Sequence, residues 1–200
     1  MAVSWLLKRK ICSIFHLCQF DEKSGSASCI SKLKSKFVNA HMAAAEVYAQ
    51  LSSATRLKVG CVIVKENTII GIGYNGMPSG WDNECEDVEF VPDSPELDYE
   101  TMKSDGYTFG SYKEFAGWVR KKTKYEVLHA ETNAIAKVAK STNSTDGADL
   151  FVTHAPCIDC AKLIYQSGIK SVFYKDTYRN DDGLMFLQKC NVEVNYVKNL

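Results

Sequence analysis

A chain of 200 residues can bury a full core in one domain, and 46% apolar with 24% charged residues is the balance of a soluble globular protein. Twenty-four basic residues offset twenty-four acidic ones, so the net charge is zero, which weighs against long nucleic acid as a partner and leaves only a local basic cluster for a small anion. The eight cysteines follow no regular spacing, which argues against a disulfide scaffold and for a reducing, cytoplasmic compartment.

Met1–Phe20 mixes apolar residues with Lys8-Arg9-Lys10. The basic cluster interrupts the apolar run, no clean cleavage site follows, and the run is too short to span a bilayer, so no membrane partner is expected. Residues 1–30 read as a poorly docked N-terminal extension, with Asp21–Ser28 as a linker, and residues 31–200 as the main domain.

Lys32–Ser53 has helical periodicity, with Phe37, Ala40, Ala44, Val47, Tyr48 and Leu51 as its apolar face. Ser52–Lys58 is a loop carrying Arg56 and Lys58. Val59–Lys65 and Thr68–Tyr74 read as a hairpin turning at Glu66-Asn67. Gly73–Gly80, with three glycines and a proline, is an irregular loop that lets backbone approach a ligand. Residues 82–124 form a long acidic insertion in which Tyr112–Lys121 is expected to be a short helix; a connection of this length is usually functional or structured. A helix is expected over Ala130–Lys140, a strand at Leu150–His154, and a helix over Cys157–Ser167 with Gly168 as its cap. A strand at Ser171–Lys175, a helix at Asp181–Cys190 and a strand at Val192–Val197 complete the chain. Strands alternating with helices imply an α/β fold, a three-layer α/β/α sandwich around one mixed sheet.

Two short stretches carry the chemistry, His129-Ala130-Glu131 and Pro156-Cys157-Ile158-Asp159-Cys160. They supply an imidazole, two thiols and a carboxylate. A catalytic zinc takes three protein ligands, leaves a fourth position for water, and works beside a base that is not a ligand. His129, Cys157 and Cys160 fit the ligand role, with one Zn2+ per chain, and Glu131 fits the base. His129 and Glu131 can face one metal only if His129 stands at the helix start, before regular geometry sets in. A lone Cys-x-x-Cys also suits a redox pair or two buried small residues. A zinc-structural module would want a fourth ligand and no free carboxylate, which Glu131 speaks against. An anionic group on a substrate needs fixed positive charge at the pocket mouth, and Arg56 and Lys58 are the basic candidates. Backbone groups at Ala130 and Ala155, beside the ligands, are expected to read the substrate's edge.

Gly73–Gly80, His129–Ile135, Pro156–Ile164, Ser167-Gly168-Ile169 and Tyr178 together resemble the deoxycytidylate (dCMP) deaminases of the cytidine/deoxycytidylate deaminase family, over roughly Phe37–Val197. The long insertion before His129 looks more like the bacteriophage members than the shorter animal ones. The resemblance implies a five-stranded cytidine-deaminase-like core, a homohexamer, and conversion of dCMP to dUMP, which supplies dTMP synthesis. It implies activation by dCTP with Mg2+ and inhibition by dTTP, in the cytoplasm (the host's, if the source is viral). It places Asn75 against the sugar, Tyr178 at the substrate end of the pocket, and Gly73, Tyr74, Asn75 and Gly76 in an effector-sensing loop near a subunit interface. Some phage relatives hold a second zinc, but Asp82–Leu128 offers only Cys85 and no histidine, so a second zinc is not expected. A tRNA adenosine deaminase shares the zinc motifs, but neutral charge and the Gly-Tyr-Asn-Gly run disfavour it. A riboflavin-pathway deaminase would need a reductase domain for which this chain has no room.

Overall fold

The computed structural model describes residues 18–20, 27–29 and 33–198. The chain divides into two compact units, Met1–Val38 and Asn39–Leu200. In the first, β1 (Cys18–Phe20) pairs antiparallel with β2 (Ala27–Cys29). The linker expected over Asp21–Ser28 thus gives Ala27 and Ser28 to a strand; the remainder of the expected extension and linker lies outside the described residues.

The second unit is built on a mixed five-stranded sheet of order β10-β9-β8-β3-β4. β3 (Gly60–Lys65) and β4 (Thr68–Tyr74) form the expected hairpin, with Glu66 and Asn67 both at positive φ as a tight two-residue turn requires. β3 also runs antiparallel to β8 (Asp149–His154). β8, β9 (Ser171–Asp176) and β10 (Glu193–Tyr196) are parallel, joined by crossover helices α4 (Ile158–Gln166) and α5 (Asp182–Lys189). β3 and β8 are buried along nearly their whole length, as central strands covered on both faces must be.

On one face Cys61, Ile63, Leu150, Val152 and Val172 pack against α4, α5 and α3 (Ala130–Ala139), which brings Ala134, Ile135 and Val138. The other face meets α1 (Ser35–Ala49): the His41 ring lies 5.3 Å from that of Phe151, which stacks on Phe173 at 4.6 Å. The buried face of α1 is His41, Met42, Ala45 and Ala49, whereas Val47 and Leu51 of the expected face are 67% and 59% exposed. Alanines surround this helix, so apolar spacing cannot choose its face. Close approach chooses it: a Cβ on Gly60 would lie 1.9 Å from the Ala45 carbonyl oxygen and 2.6 Å from the Ala49 nitrogen, contacts no side chain tolerates.

The insertion is a sheet of its own. β5 (Glu86–Pro92), β6 (Thr108–Tyr112) and β7 (Phe115–Thr123) pair antiparallel in the order β5-β7-β6, with the short α2 (Tyr99–Ser104) between β5 and β6. The helix expected over Tyr112–Lys121 is therefore a hairpin. Tyr112 pairs with Phe115 across a turn in which Lys113 has φ +57, and the aromatic and β-branched residues of this stretch suit a pleated surface. Trp118 is buried between the rings of Tyr99 and Phe109. The chain rejoins the main sheet at Leu128, whose N–H and C=O both bond Gly76.

Candidate active site

Two helix starts converge at one end of the main sheet. His129 is the N-cap of α3 and Cys157 the N-cap of α4; both backbones are extended (φ −74, ψ 152 and φ −69, ψ 169) and neither side chain caps its own helix. The side chains turn to one another instead. His129 Nδ1 lies 3.6 Å from Cys157 Sγ and 3.3 Å from Cys160 Sγ, and the three donor atoms lie within 4.8 Å of one another. Cys157 thus precedes the helix that was expected to begin with it, and Cys160 stands in the first turn.

Glycines bring these starts close to the rest of the fold. At Gly73 a Cβ would fall 2.1 Å from the Ala130 carbonyl oxygen, so only glycine lets β4 lie this near the start of α3. At Gly183 it would fall 2.0 Å from the Pro156 carbonyl oxygen, which presses α5 onto the Pro156-Cys157 turn. Asn133 Nδ2 donates to the Tyr74 carbonyl at 3.0 Å and ties α3 to β4 again.

Two helix N-termini aimed at one point favour negative charge there. The Cys157 thiol is held down to about 4, first by the Cys160 thiol and then by His129, while that contact pushes Cys160 up. The Cys157 sulfur raises the His129 imidazole. Glu131 is 5% exposed in the first turn of α3, and burial pushes its carboxyl up. An imidazole and two thiols at this separation are a donor set suited to zinc, and Glu131 stands beside it in the same cavity.

That cavity, about 440 Å³, contains His129, Glu131 and Cys157 together with Ala130 and Ala155. Asn75 and Tyr178 also line it, and so does Arg56. The Asn75 amide accepts from Val59 N–H at 2.8 Å and donates to the Leu57 carbonyl at 2.8 Å, leaving one donor and one acceptor. The Ala155 N–H goes to the Asp176 carbonyl at 2.8 Å, so any edge contact there falls to its own carbonyl.

Lys58 does not line the cavity: its ammonium lies 3.5 Å from the Gln50 carbonyl at the end of α1, because alternation along the run into β3 turns it outward. Gly73 and Tyr74 also lie off it, Gly73 against α3 and Tyr74 beneath the Lys137 ammonium. Gly76 is held by its two bonds to Leu128.

Several lining residues had no sequence signal. Glu86 and Thr123 come from the insertion: Glu86 Oε1 accepts from the Thr55 and Arg56 N–H groups at 2.9 and 3.1 Å, and Arg56 Nη1 donates to Thr123 Oγ1 at 3.0 Å. Only the insertion's own fold brings them there. His154, at the end of β8, contacts Thr153 Oγ1 through Nδ1 at 3.1 Å, and burial lowers its basicity. Arg179 lies beside Tyr178, the ring of which is 5.8 Å from its guanidinium carbon.

Comparison with known proteins places this geometry. Residues 35–176 match the family described as the cytidine and deoxycytidylate deaminase zinc-binding region. The chain is 36% identical over 166 residues to the deoxycytidylate deaminase of Enterobacteria phage T4, covering 75% of this chain and 84% of the relative. It is 40% identical over 146 residues to the human deoxycytidylate deaminase, covering 70% and 66%. The crystal structure of the dCMP deaminase of cyanophage S-TIM5 in complex with dCMP and dUMP superimposes with a TM-score of 0.64 at 39% identity, covering 82% of this chain and 99% of that one. With its zinc-type donor set on a mixed five-stranded sheet, the chain belongs to the cytidine and deoxycytidylate deaminase family.

Proposed function

We propose that this protein hydrolyses dCMP to dUMP and ammonia. The observation that carries this reading is one cavity with His129, Glu131 and Cys157 among its lining, Cys160 beside them, and the cations Arg56 and Arg179 in the same lining. The dCMP-bound cyanophage relative supports the choice of nucleotide.

His129, Cys157 and Cys160 would hold a zinc ion, which when bound would supply an acidified water as the nucleophile for the amino-bearing ring carbon. Glu131 moves the protons. It takes one from the water, passes it to the ring nitrogen, and delivers a further proton to the departing amine. Burial suits this role, because pushing the carboxyl up makes Glu131 a stronger base than an ordinary carboxylate. Ala130 and Ala155 present backbone to the pyrimidine edge. The remaining donor and acceptor of Asn75 meet the sugar, and Tyr178 stands beside it. Arg56 and Arg179 neutralise the phosphate. The test is turnover of dCMP against deoxycytidine by the zinc-loaded protein. Absence of dUMP from a folded, metal-replete preparation defeats the reading.

The family resemblance supports a regulated hexamer: dCTP with Mg2+ activates and dTTP inhibits, through the loop of Gly73, Tyr74, Asn75 and Gly76. The coupling runs through Asn75, which lines the cavity while its neighbour Gly76 is bonded to Leu128, next to His129. An effector acts only by binding two states differently. Sigmoidal dCMP kinetics that dCTP makes hyperbolic and dTTP suppresses are expected; hyperbolic curves indifferent to both remove regulation and leave the deaminase standing. The product would feed dTMP synthesis. Among the described residues no helix is long and apolar enough to cross a membrane.

A further inference from the structure

The loop that carries Arg56 is held from two directions. Asn75, just past β4, takes Leu57 and Val59 through its side-chain amide, and its carbonyl accepts from Ser52 Oγ at 2.7 Å. The stretch between belongs to the insertion. Ser53 Oγ lies 3.2 Å from Cys85 Sγ, Lys121 Nζ donates to Thr55 Oγ1 at 3.2 Å, and Arg56 Nη1 donates to Thr123 Oγ1 at 3.0 Å. At its centre Glu86 Oε1 takes the successive N–H groups of Thr55 and Arg56 at 2.9 and 3.1 Å.

Two successive amides at a bend make a seat for an anion, and a carboxylate fills that seat with charge-assisted bonds. Which part of Arg56 the carboxylate holds is decisive. Glu86 takes the backbone, while the guanidinium is held by a neutral hydroxyl and has no carboxylate within 4.0 Å among the described residues. A carboxylate on the guanidinium would cancel the charge that a phosphate needs. One on the backbone fixes the loop and leaves that charge in place. Glu86 and Thr123 pair directly across β5 and β7, so one rung of the insertion's sheet supplies both holds.

We propose that Glu86 is a positioning residue for the phosphate end of the cavity. It acts through Arg56, setting the loop so that the guanidinium meets the phosphate, and the insertion is the frame that carries it. This rests on the proposed deamination and on Arg56 as the phosphate contact. It gives the insertion a part in substrate choice, nucleotide over nucleoside.

The experiment compares Glu86→Ala, Glu86→Gln, Arg56→Ala and the double variant Glu86→Ala/Arg56→Ala, as zinc-loaded full chains, on dCMP and deoxycytidine. Glu86→Ala should raise KM for dCMP about tenfold, the loss of one charge-assisted contact, with kcat and the KM for deoxycytidine within about twofold. Glu86→Gln keeps an acceptor oxygen and should stay within about threefold of the native KM. The double variant should be no worse than Arg56→Ala alone, because one residue works through the other. Hydrogen exchange of the Thr55 and Arg56 amides should quicken about tenfold in Glu86→Ala and stay near native in Glu86→Gln. Loss of kcat on both substrates overturns the inference, because Glu86 then serves the fold. Additive losses in the double variant, a Gln variant as poor as the Ala one, or unchanged amide exchange overturn it as well. If the native protein makes no dUMP, the deaminase reading falls by itself. Calorimetric binding of dCMP then judges Glu86: weaker binding in Glu86→Ala supports its hold on Arg56, and equal binding overturns it.

Discussion

The two sheets of this protein solve different problems. The main sheet carries the zinc-type site at the end of almost completely buried central strands, β3 and β8, with backbone pressed to backbone at Gly60, Gly73 and Gly183. The insertion's sheet pairs charged strands, Glu86–Pro92 against Phe115–Thr123, holds one buried tryptophan in an exposed aromatic cluster, and leaves that indole N–H without a partner. Chemistry at a reacting carbon needs groups fixed to a fraction of an ångström. Charge recognition at a cavity mouth tolerates longer and looser side chains. The comparison implies that damage to the main sheet lowers kcat, whereas damage to the insertion raises KM.

The largest effect expected is at Glu131. Glu131→Ala should retain zinc and lose about 10²–10⁴-fold in kcat, read by metal analysis and single-turnover kinetics on one preparation. Cys160→Ala should lose the metal as well. Retained turnover in Glu131→Ala would remove that residue from the chemistry.

Next come the close approaches. Gly73→Ala puts a methyl 2.1 Å from the Ala130 carbonyl oxygen and 2.6 Å from the Ala134 nitrogen, so α3 must move with His129 and Glu131 on it. A cost of about 1–3 kcal/mol or more is expected, a fall of several degrees in Tm, together with a loss of kcat. In the insertion, nothing lies within 4 Å of the corresponding point at Gly110, and Gly110→Ala should change Tm by less than about one degree. Equal shifts for the two variants would erase the contrast between the sheets.

Why the sequence yields one sheet more readily than the other follows from the same contrast. β3 and β8 are apolar runs bounded by turn residues, and the zinc motifs fix ligand types by spacing alone, so fold and donor set are legible residue by residue. The insertion has no such signature. Tyr112–Lys121 mixes aromatic, small and basic residues, and its strand character comes from pairing both with Thr108–Tyr112 in a hairpin and with Glu86–Pro92, more than twenty residues earlier. Lys58 illustrates the limit at the cavity. Basic residues before a strand are visible in sequence, but Arg56 and Lys58, two apart, would share a side in an extended run, and only the bend at Thr55-Arg56 separates them. Arg179 was invisible for a similar reason, since only the fold turns the segment after β9 toward Arg56.

That pair supplies the third prediction. Arg56→Ala should raise KM for dCMP about tenfold or more, the worth of a charge-assisted phosphate contact, and leave deoxycytidine within about twofold. Lys58→Ala should leave both constants within about twofold, since its ammonium points to the end of α1. A KM effect at Lys58 that matched the one at Arg56 would show that the Ser52–Lys58 loop rearranges when the nucleotide binds.

The smallest effect lies within the insertion, at Glu89. Its carboxyl accepts from Arg120 and from the Tyr107 hydroxyl, and the Arg120 contact, followed by the Tyr107 bond and the nearby positive charge, holds it below the ordinary glutamate value. A carboxyl lowered in the folded protein contributes stability that is fully present above its unfolded value, about 4.3, and is lost as pH falls through the lower folded value. Glu89→Gln should therefore speed amide exchange in β5 and β7 at neutral pH, and the difference from the native protein should shrink as the solution is acidified below about pH 4. A difference that persisted undiminished in acid would mean that packing of the side chain, and not its charge, holds the strands. kcat should stay unchanged in this variant because His129, Cys157 and Glu131 stand on the other sheet. KM should rise slightly, since a looser β7 weakens the hold of Thr123 on Arg56. Loss of kcat in Glu89→Gln would show that the insertion supports the chemistry itself, and the division of labour between the two sheets would fall.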